Sequence, residues 1–173
     1  MKKFLIAFVC IVALGFILFT QTPNTANHEY LRIHIRANSN SQIDQAVKYK
    51  VKDAVVNAMI PIVSTCNTKQ QSIDLITKNL GYIESIAIQT LRQNGFSYNV
   101  SAEIVEEMFP ARSYGDLTLE SGFYDALILN LGSGEGDNWW CVVYPPLCFV
   151  NGSTEVSQFK SRILEIIQHF KQN

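Results

Sequence analysis

The sequence predicts an α+β fold: a mainly antiparallel sheet of about four to five strands, with two helices after the first strand packed on one face and a C-terminal helix. Three observations carry this. Apolar residues recur at three-and-four spacing from Ile43 to Met59 and again from Ile73 to Leu91. From residue 96 the period changes to two, and it returns to helical spacing only after Thr154. The order β-α-α-β-β-β-β-α groups helices and then strands, which indicates α+β with helices largely on one face of the sheet.

At the N-terminus, Met1-Lys2-Lys3 precedes an uninterrupted apolar or glycine run of 16 residues, Phe4 to Phe19. A helix of that length reaches roughly 24 Å, enough for a membrane span only with its interfacial flanks. The lysines should stay cytoplasmic and send the rest of the chain outside. Thr20-Gln21-Thr22 is a poor cleavage site, so the sequence favours an uncleaved anchor over a cleaved signal. The expected organisation is a signal or anchor segment over 1–20, a tether over 21–29, an α+β domain over 30–151 and an amphipathic helix packed on it over 152–173. With 14 Lys+Arg against 15 Asp+Glu, no basic stripe marks a nucleic-acid partner.

Leu31 to Ile35 alternates Leu31, Ile33 and Ile35 with Arg32, His34 and Arg36, the pattern of a half-buried strand with the basic residues in solvent. Ala37 to Ser41 (ANSNS) is a turn, and Ser41 with Asp44 is a capping-box variant that opens the first helix. Lys48, Lys50 and Lys52 read as solvated, and Pro61 as a natural stop. After a link over Ser64 to Lys69 the second helix runs to Asn94-Gly95, with Gly81 weakening it but not breaking it. Phe96 to Ile104 alternates up to the acidic cluster Glu103, Glu106 and Glu107, and Met108-Phe109-Pro110 closes that strand. Leu117-Thr118-Leu119 is a short strand after RSYGD. Phe123 to Leu131 is a strong one, joined through the loop Gly132–Asp137 (GSGEGD) as a long hairpin to the next.

That next strand holds the least common chemistry of the chain. Asp137 to Asn151 contains both tryptophans, Trp139 and Trp140, with Cys141, Pro145, Pro146 and Cys148. Large apolar groups alternate onto both of its faces, so it must be covered twice. Pro145 and Pro146 should end its pairing. Cys141 and Cys148 would bridge if the chain doubles back at the prolines; two buried free thiols are the preferred reading.

No catalytic set emerges. Cys141 with His34 and Asp137 is a thiol constellation inside an apolar strand, where a thiolate is disfavoured. His28, His34 and His169 have no metal-ligand spacing. The glutamates read as a solvated strand end, and the glycine loop as a flexible tip, with weak calcium binding through Glu135 and Asp137 as its alternative. It lacks the Lys-Ser/Thr and the following helix of a phosphate cradle, so no cofactor is expected.

LRIHIRANSNSQIDQAVKYKVKDAVVNAM, FPARSYGDLTL and NWWCVVYPPLCFV resemble three signature blocks of the stage II sporulation protein R family, in the same order and behind a similar export segment. Asn40 stands where the family tends to have Asp, and Lys52 where it tends to have Arg. The resemblance implies a non-enzymatic signalling protein of an endospore-forming bacterium, exported from the forespore into the space between two membranes. There it would activate a membrane-embedded aspartic protease that processes the precursor of sporulation sigma factor E, with no small-molecule substrate. An activating surface is expected at the polar turn, from Asn38, Ser39, Asn40, Ser41 and Asp44, supported by Arg112 and Tyr114. The alternative is that the turn only caps the helix. Two rival functions are an exported hydrolase built on Cys141 or the acidic cluster, and a wall- or membrane-binding module using the Trp strand and the final helix.

Overall fold

The computed structural model describes residues 29–115, 117–149 and 157–172, with side chains for all of these except 157–160. The apolar run over 4–19 and most of the tether lie outside the described residues, and no described helix is long and apolar enough to cross a membrane.

In chain order the elements are β1 (Leu31–Arg36), α1 (Gln42–Val63), α2 (Lys69–Lys78), α3 (Leu80–Gln93), β2 (Val100–Phe109), β3 (Arg112–Tyr114), β4 (Leu117–Leu119), β5 (Gly122–Leu131), β6 (Asn138–Tyr144), a single 3-10 turn at Leu147–Phe149, and α4 (Ser157–Gln172). β2, β5, β1 and β6 form one four-stranded sheet in that order, and β3 with β4 forms a separate hairpin. The fold is α+β as expected. β1 pairs parallel with β5 and antiparallel with β6, while β2 runs antiparallel to β5 through all ten of its residues. The expected β5–β6 hairpin does not form, because β1 lies between the two strands. The glycine loop therefore passes over the end of β1, against the turn that follows it.

One sheet face carries the main core. Leu31, Ile33 and Ile35 of β1 and Leu127, Leu129 and Leu131 of β5 meet Val47, Val51, Val55 and Met59 of α1, with Ile76, Ile83 and Leu91 behind. Each such side chain contributes about 1.5–3 kcal/mol on burial. The other face holds a smaller cluster of Phe109, Leu119, Tyr124, Ala126, Ile128 and Val142, roofed by Tyr114 and Leu117 of the hairpin. Trp139 packs on the first cluster and Trp140 on the second, so the Trp strand is covered on both sides.

That second cover corrects the reading of β1. Arg32 is fully buried and His34 nearly so, because the hairpin and Trp140 close over a face whose polar residues alone suggested solvent. Pro61 does not stop α1; it sits inside the helix near its end, where Ser64 N–H still reaches the Ile60 carbonyl at 3.0 Å. The second predicted helix is divided at Asn79, whose amide donates to the Leu75 carbonyl at 2.7 Å. Such side-chain competition for a backbone acceptor favours a break. Lys48, expected in solvent, is buried. Pairing of β6 ends before Pro145 as its missing donor requires. Just beyond, Cys141 and Cys148 form a disulfide across seven residues, in place of two free thiols, and Cys66 is a buried free cysteine.

Candidate functional site

The turn after β1 is built from its own side chains. Ser41 Oγ accepts from Asp44 N–H at 3.2 Å, the cap expected from the sequence. The Asp44 carboxylate accepts from Asn38 Nδ2 at 3.0 Å, Ser39 Oγ at 2.5 Å and, from across the molecule, Tyr98 Oη at 3.0 Å. Burial alone would raise this carboxyl. The hydrogen bonds from Ser39, Asn38, Tyr98 and Ser41 outweigh that and hold it below the usual carboxylate range.

The glycine loop closes on this turn. Asn38 Oδ1 accepts from Ser133 N–H at 3.0 Å, Asn40 Oδ1 from Asp137 N–H at 2.6 Å, and the Ala37 carbonyl from Gly136 N–H at 2.8 Å. A Cβ at Gly136 would collide with the Ser39 backbone, so only glycine allows this approach. Lys48 completes the lock: its Nζ donates to the Asp137 carbonyl at 2.8 Å and to Gln45 Oε1 at 2.7 Å. Burial lowers the Lys48 pKa, and Asp137 offsets part of that. The loop is thus a docked element and not a free tip. Among the described residues, no group of three or more His, Cys, Asp or Glu could hold a metal ion.

With the inward groups engaged, Asn40, Ser41 and Gln42 remain exposed on the outer edge, beside an Ile43 that is 67% exposed. Ile43 borders a shallow groove of about 380 Å³ shared with Ala46, Lys50 and Phe96.

A second polar assembly runs along the hairpin-covered face. Arg36 pairs with Glu107 Oε1, and Glu107 Oε2 accepts from His34 Nδ1 at 2.8 Å. Burial brings the His34 imidazole down to about 4; the Asn138 side chain offsets part of this, and Arg36 and Arg32 lower it further. The neutral ring must carry its proton on Nδ1, because the ionised Glu107 can only accept. Arg112 lies over the Trp140 ring, 4.5 Å from its centroid, and Tyr114 Oη accepts from Arg32 Nη2 at 2.9 Å.

The expected site residues therefore fall into two groups. Asn38, Ser39, Asn40 and Ser41 gather around Asp44 and the loop; Arg112 and Tyr114 sit on the hairpin. They are joined through β1, where Arg36 also donates to Asn130 at 3.2 Å, and Asn130 lies beside Gly134 of the loop. Cys141 is closed in the disulfide, so it forms no thiol constellation with His34 and Asp137. What the sequence did not reveal is the buried or paired state of Arg32, His34, Arg36, Lys48 and Glu107, all expected in solvent. Three basic side chains on one face of LRIHIR were a signal that partners were needed. Nothing local pointed to Glu107, which stands 71 positions from Arg36.

The family model for stage II sporulation protein R matches residues 27–154. This chain belongs to that family. The stage II sporulation protein R of Bacillus subtilis (strain 168) is 35% identical over 131 residues, which is 76% of this chain and 58% of the relative. The chain thus spans under two thirds of that curated relative's length. No solved structure matches it. For the stage II sporulation protein R family, the matched region takes in the turn, the hairpin and the Trp strand, and stops short of α4.

Proposed function

We propose that this chain is an exported forespore signal that activates the membrane-embedded aspartic protease of the mother cell, which then processes the precursor of sporulation sigma factor E. Membership of the stage II sporulation protein R family carries the reading. In it, residues 4–19 lead the chain out of the cytoplasm and residues 30–173 act between the two membranes. The domain acts by binding and not by catalysis: it favours the active state of the protease through differential affinity for its outward face.

The surface assigned to this contact is the outer edge of the turn, Asn40 and Ser41 with Ile43, shaped from beneath by Asn38, Ser39 and Asp44. Arg112 and Tyr114 on the hairpin supply a second contact. The support is geometric. The inward polar atoms are used up in locking turn to loop, and an exposed isoleucine beside such a rigid edge is not required by the core.

The test is sigma precursor processing in cells lacking their endogenous trigger. The exported domain should restore processing. Ile43→Glu should keep the melting temperature within about 2 °C, as expected of an exposed substitution, and lose processing. Full processing by a folded, exported Ile43→Glu protein would remove this surface from the proposal; no processing by the unaltered chain would remove the function.

A further inference from the structure

Among the described residues, Arg32 and His34 have buried polar atoms with no hydrogen-bond partner, and Arg32 is the one of the two with two such atoms and no ion pair. It is 0% exposed, yet its Nε and Nη1 have no hydrogen-bond partner among the described residues. Nη2 alone is engaged, on the Tyr114 hydroxyl at 2.9 Å. Three aromatic rings surround the guanidinium, with centroids 4.1 Å (Phe109), 4.7 Å (Tyr124) and 5.8 Å (Tyr114) from its central carbon. No ion pair reaches it among the described residues, although its neighbour Arg36 has Glu107. A buried cation without a carboxylate is held at a stability penalty, and a core position would do as well with an apolar residue of similar size.

Beside it lies a cleft of about 300 Å³ between the hairpin, α4 and the turn after β6, lined by Tyr30, Tyr114, Leu117, Leu147, Ile167 and Phe170. Glu29 and Lys171 stand at the same cleft. Tyr114 is shared: its side chain lines the cleft and its hydroxyl covers Arg32.

We propose that this cleft binds a carboxylate borne on an apolar peptide segment, with Arg32 as the cation that receives it. This names a chemistry for the partner proposed above and rests on that reading. The guanidinium geometry decides how it binds. A carboxylate takes two parallel N–H bonds from adjacent nitrogens, and both such pairs include Nη2. Nη2 has one N–H in each fork, and the Tyr114 hydroxyl on it stands between the guanidinium and the cleft that Tyr114 lines, so a ligand that enters from this cleft displaces that hydroxyl. Its apolar neighbour fills the aromatic cavity, whose volume suits one or two side chains. Both signs of charge at the cleft accommodate peptide groups on either side. On this face Arg32, Arg36 and Arg112 stand against Glu103 and Glu107, and Arg32 is the fully buried cation among them with no carboxylate of its own, which favours an acidic segment.

The test uses the full chain in lipid nanodiscs and intrinsic tryptophan fluorescence, which reads the Trp140–Arg112 contact on the hairpin. The probes are acetyl-Phe-Glu-amide, its neutral partner acetyl-Phe-Gln-amide, and decanoate. The Glu peptide should saturate at a concentration at least about tenfold lower than the Gln peptide, a difference of about 1.4 kcal/mol. Arg32→Met should abolish that preference and leave the melting temperature equal or higher. Tyr114→Phe, which keeps the ring and removes the competing hydroxyl, should bind the Glu peptide several-fold tighter. Equal binding of the two peptides overturns the proposal, as does a preference that survives in Arg32→Met. If Arg32→Met fails to fold, Arg32 is structural, and an unchanged affinity in Tyr114→Phe then sinks the site. Tighter binding of decanoate than of the Glu peptide overturns the peptide assignment. None of these readouts depends on sigma precursor processing, so failure here and failure of the proposed function are separable.

Discussion

His34 is buried as a neutral ring between two arginines, and its titration should be visible in stability. Its pKa is about 4 in the fold and about 6.5 in an unfolded chain, so between those values the unfolded state binds more protons. Stability therefore falls as pH drops from 6.5 towards 4, by on the order of 2–3 kcal/mol at most. Asp44 works in the same direction but lower: its folded pKa is depressed, so its contribution is full above the unfolded value near ~3.9 and is lost only as pH falls through the folded one. Melting curves of His34→Gln should be flatter than wild type between pH 6.5 and 4 and should rejoin its slope below. Identical slopes would mean that His34 is not neutral in the fold. The sequence made LRIHIR legible as a strand but misplaced its polar side chains, because alternation says which residues share a face and not whether that face is covered. The cover here is a hairpin of two three-residue strands and one tryptophan, too little chain to advertise a second core.

At the scale of elements, the turn and the glycine loop form one unit although 95 positions separate Asn38 from Ser133. Gly136→Ala should lower stability by about 1–3 kcal/mol, since the new methyl meets the Ser39 backbone and not a movable side chain. Thermal unfolding with no loss would mean that the loop does not dock. In sequence, the glycines of GSGEGD suggest a flexible tip; at Gly136 the use is close approach to the Ser39 backbone. Thr68, within the stretch expected as a link, caps α2 without having been singled out, whereas the helix cap at Ser41 was legible, since capping is local chemistry. The division at Asn79 was not, because an apolar stripe continues through it on both sides. The Cys141–Cys148 bridge closes the turn that follows β6. In the chain-entropy account, so short a loop contributes roughly 2–3 kcal/mol. Cys141→Ser with Cys148→Ser should lower the melting temperature accordingly, while wild type under reducing agent should approach the same value. A wild-type protein insensitive to reductant would argue against the bridge.

Over the whole molecule, the fold class was readable because period changes mark helices and strands, whereas strand order was not, because alternation carries no record of neighbours. That order has a consequence for how the chain comes into being. β1, near the start, is the inner strand whose two neighbours are β5 and β6, so Arg36 waits for Asn130, 94 positions later. Local contacts are made early and are few around β1; the pairings that bury it require closure of loops roughly a hundred residues long, which slows folding. A chain cut after Asp137 lacks one wall of β1 entirely and should show no cooperative unfolding transition by circular dichroism, despite containing α1, α2 and α3 complete. A cooperative transition in that fragment would contradict the dependence on β6. A polypeptide threaded head-first through a membrane channel has to remain unfolded in transit. On the proposed export route the strand order would enforce that delay, since the strand that seals the sheet lies near the end of the domain and would emerge late.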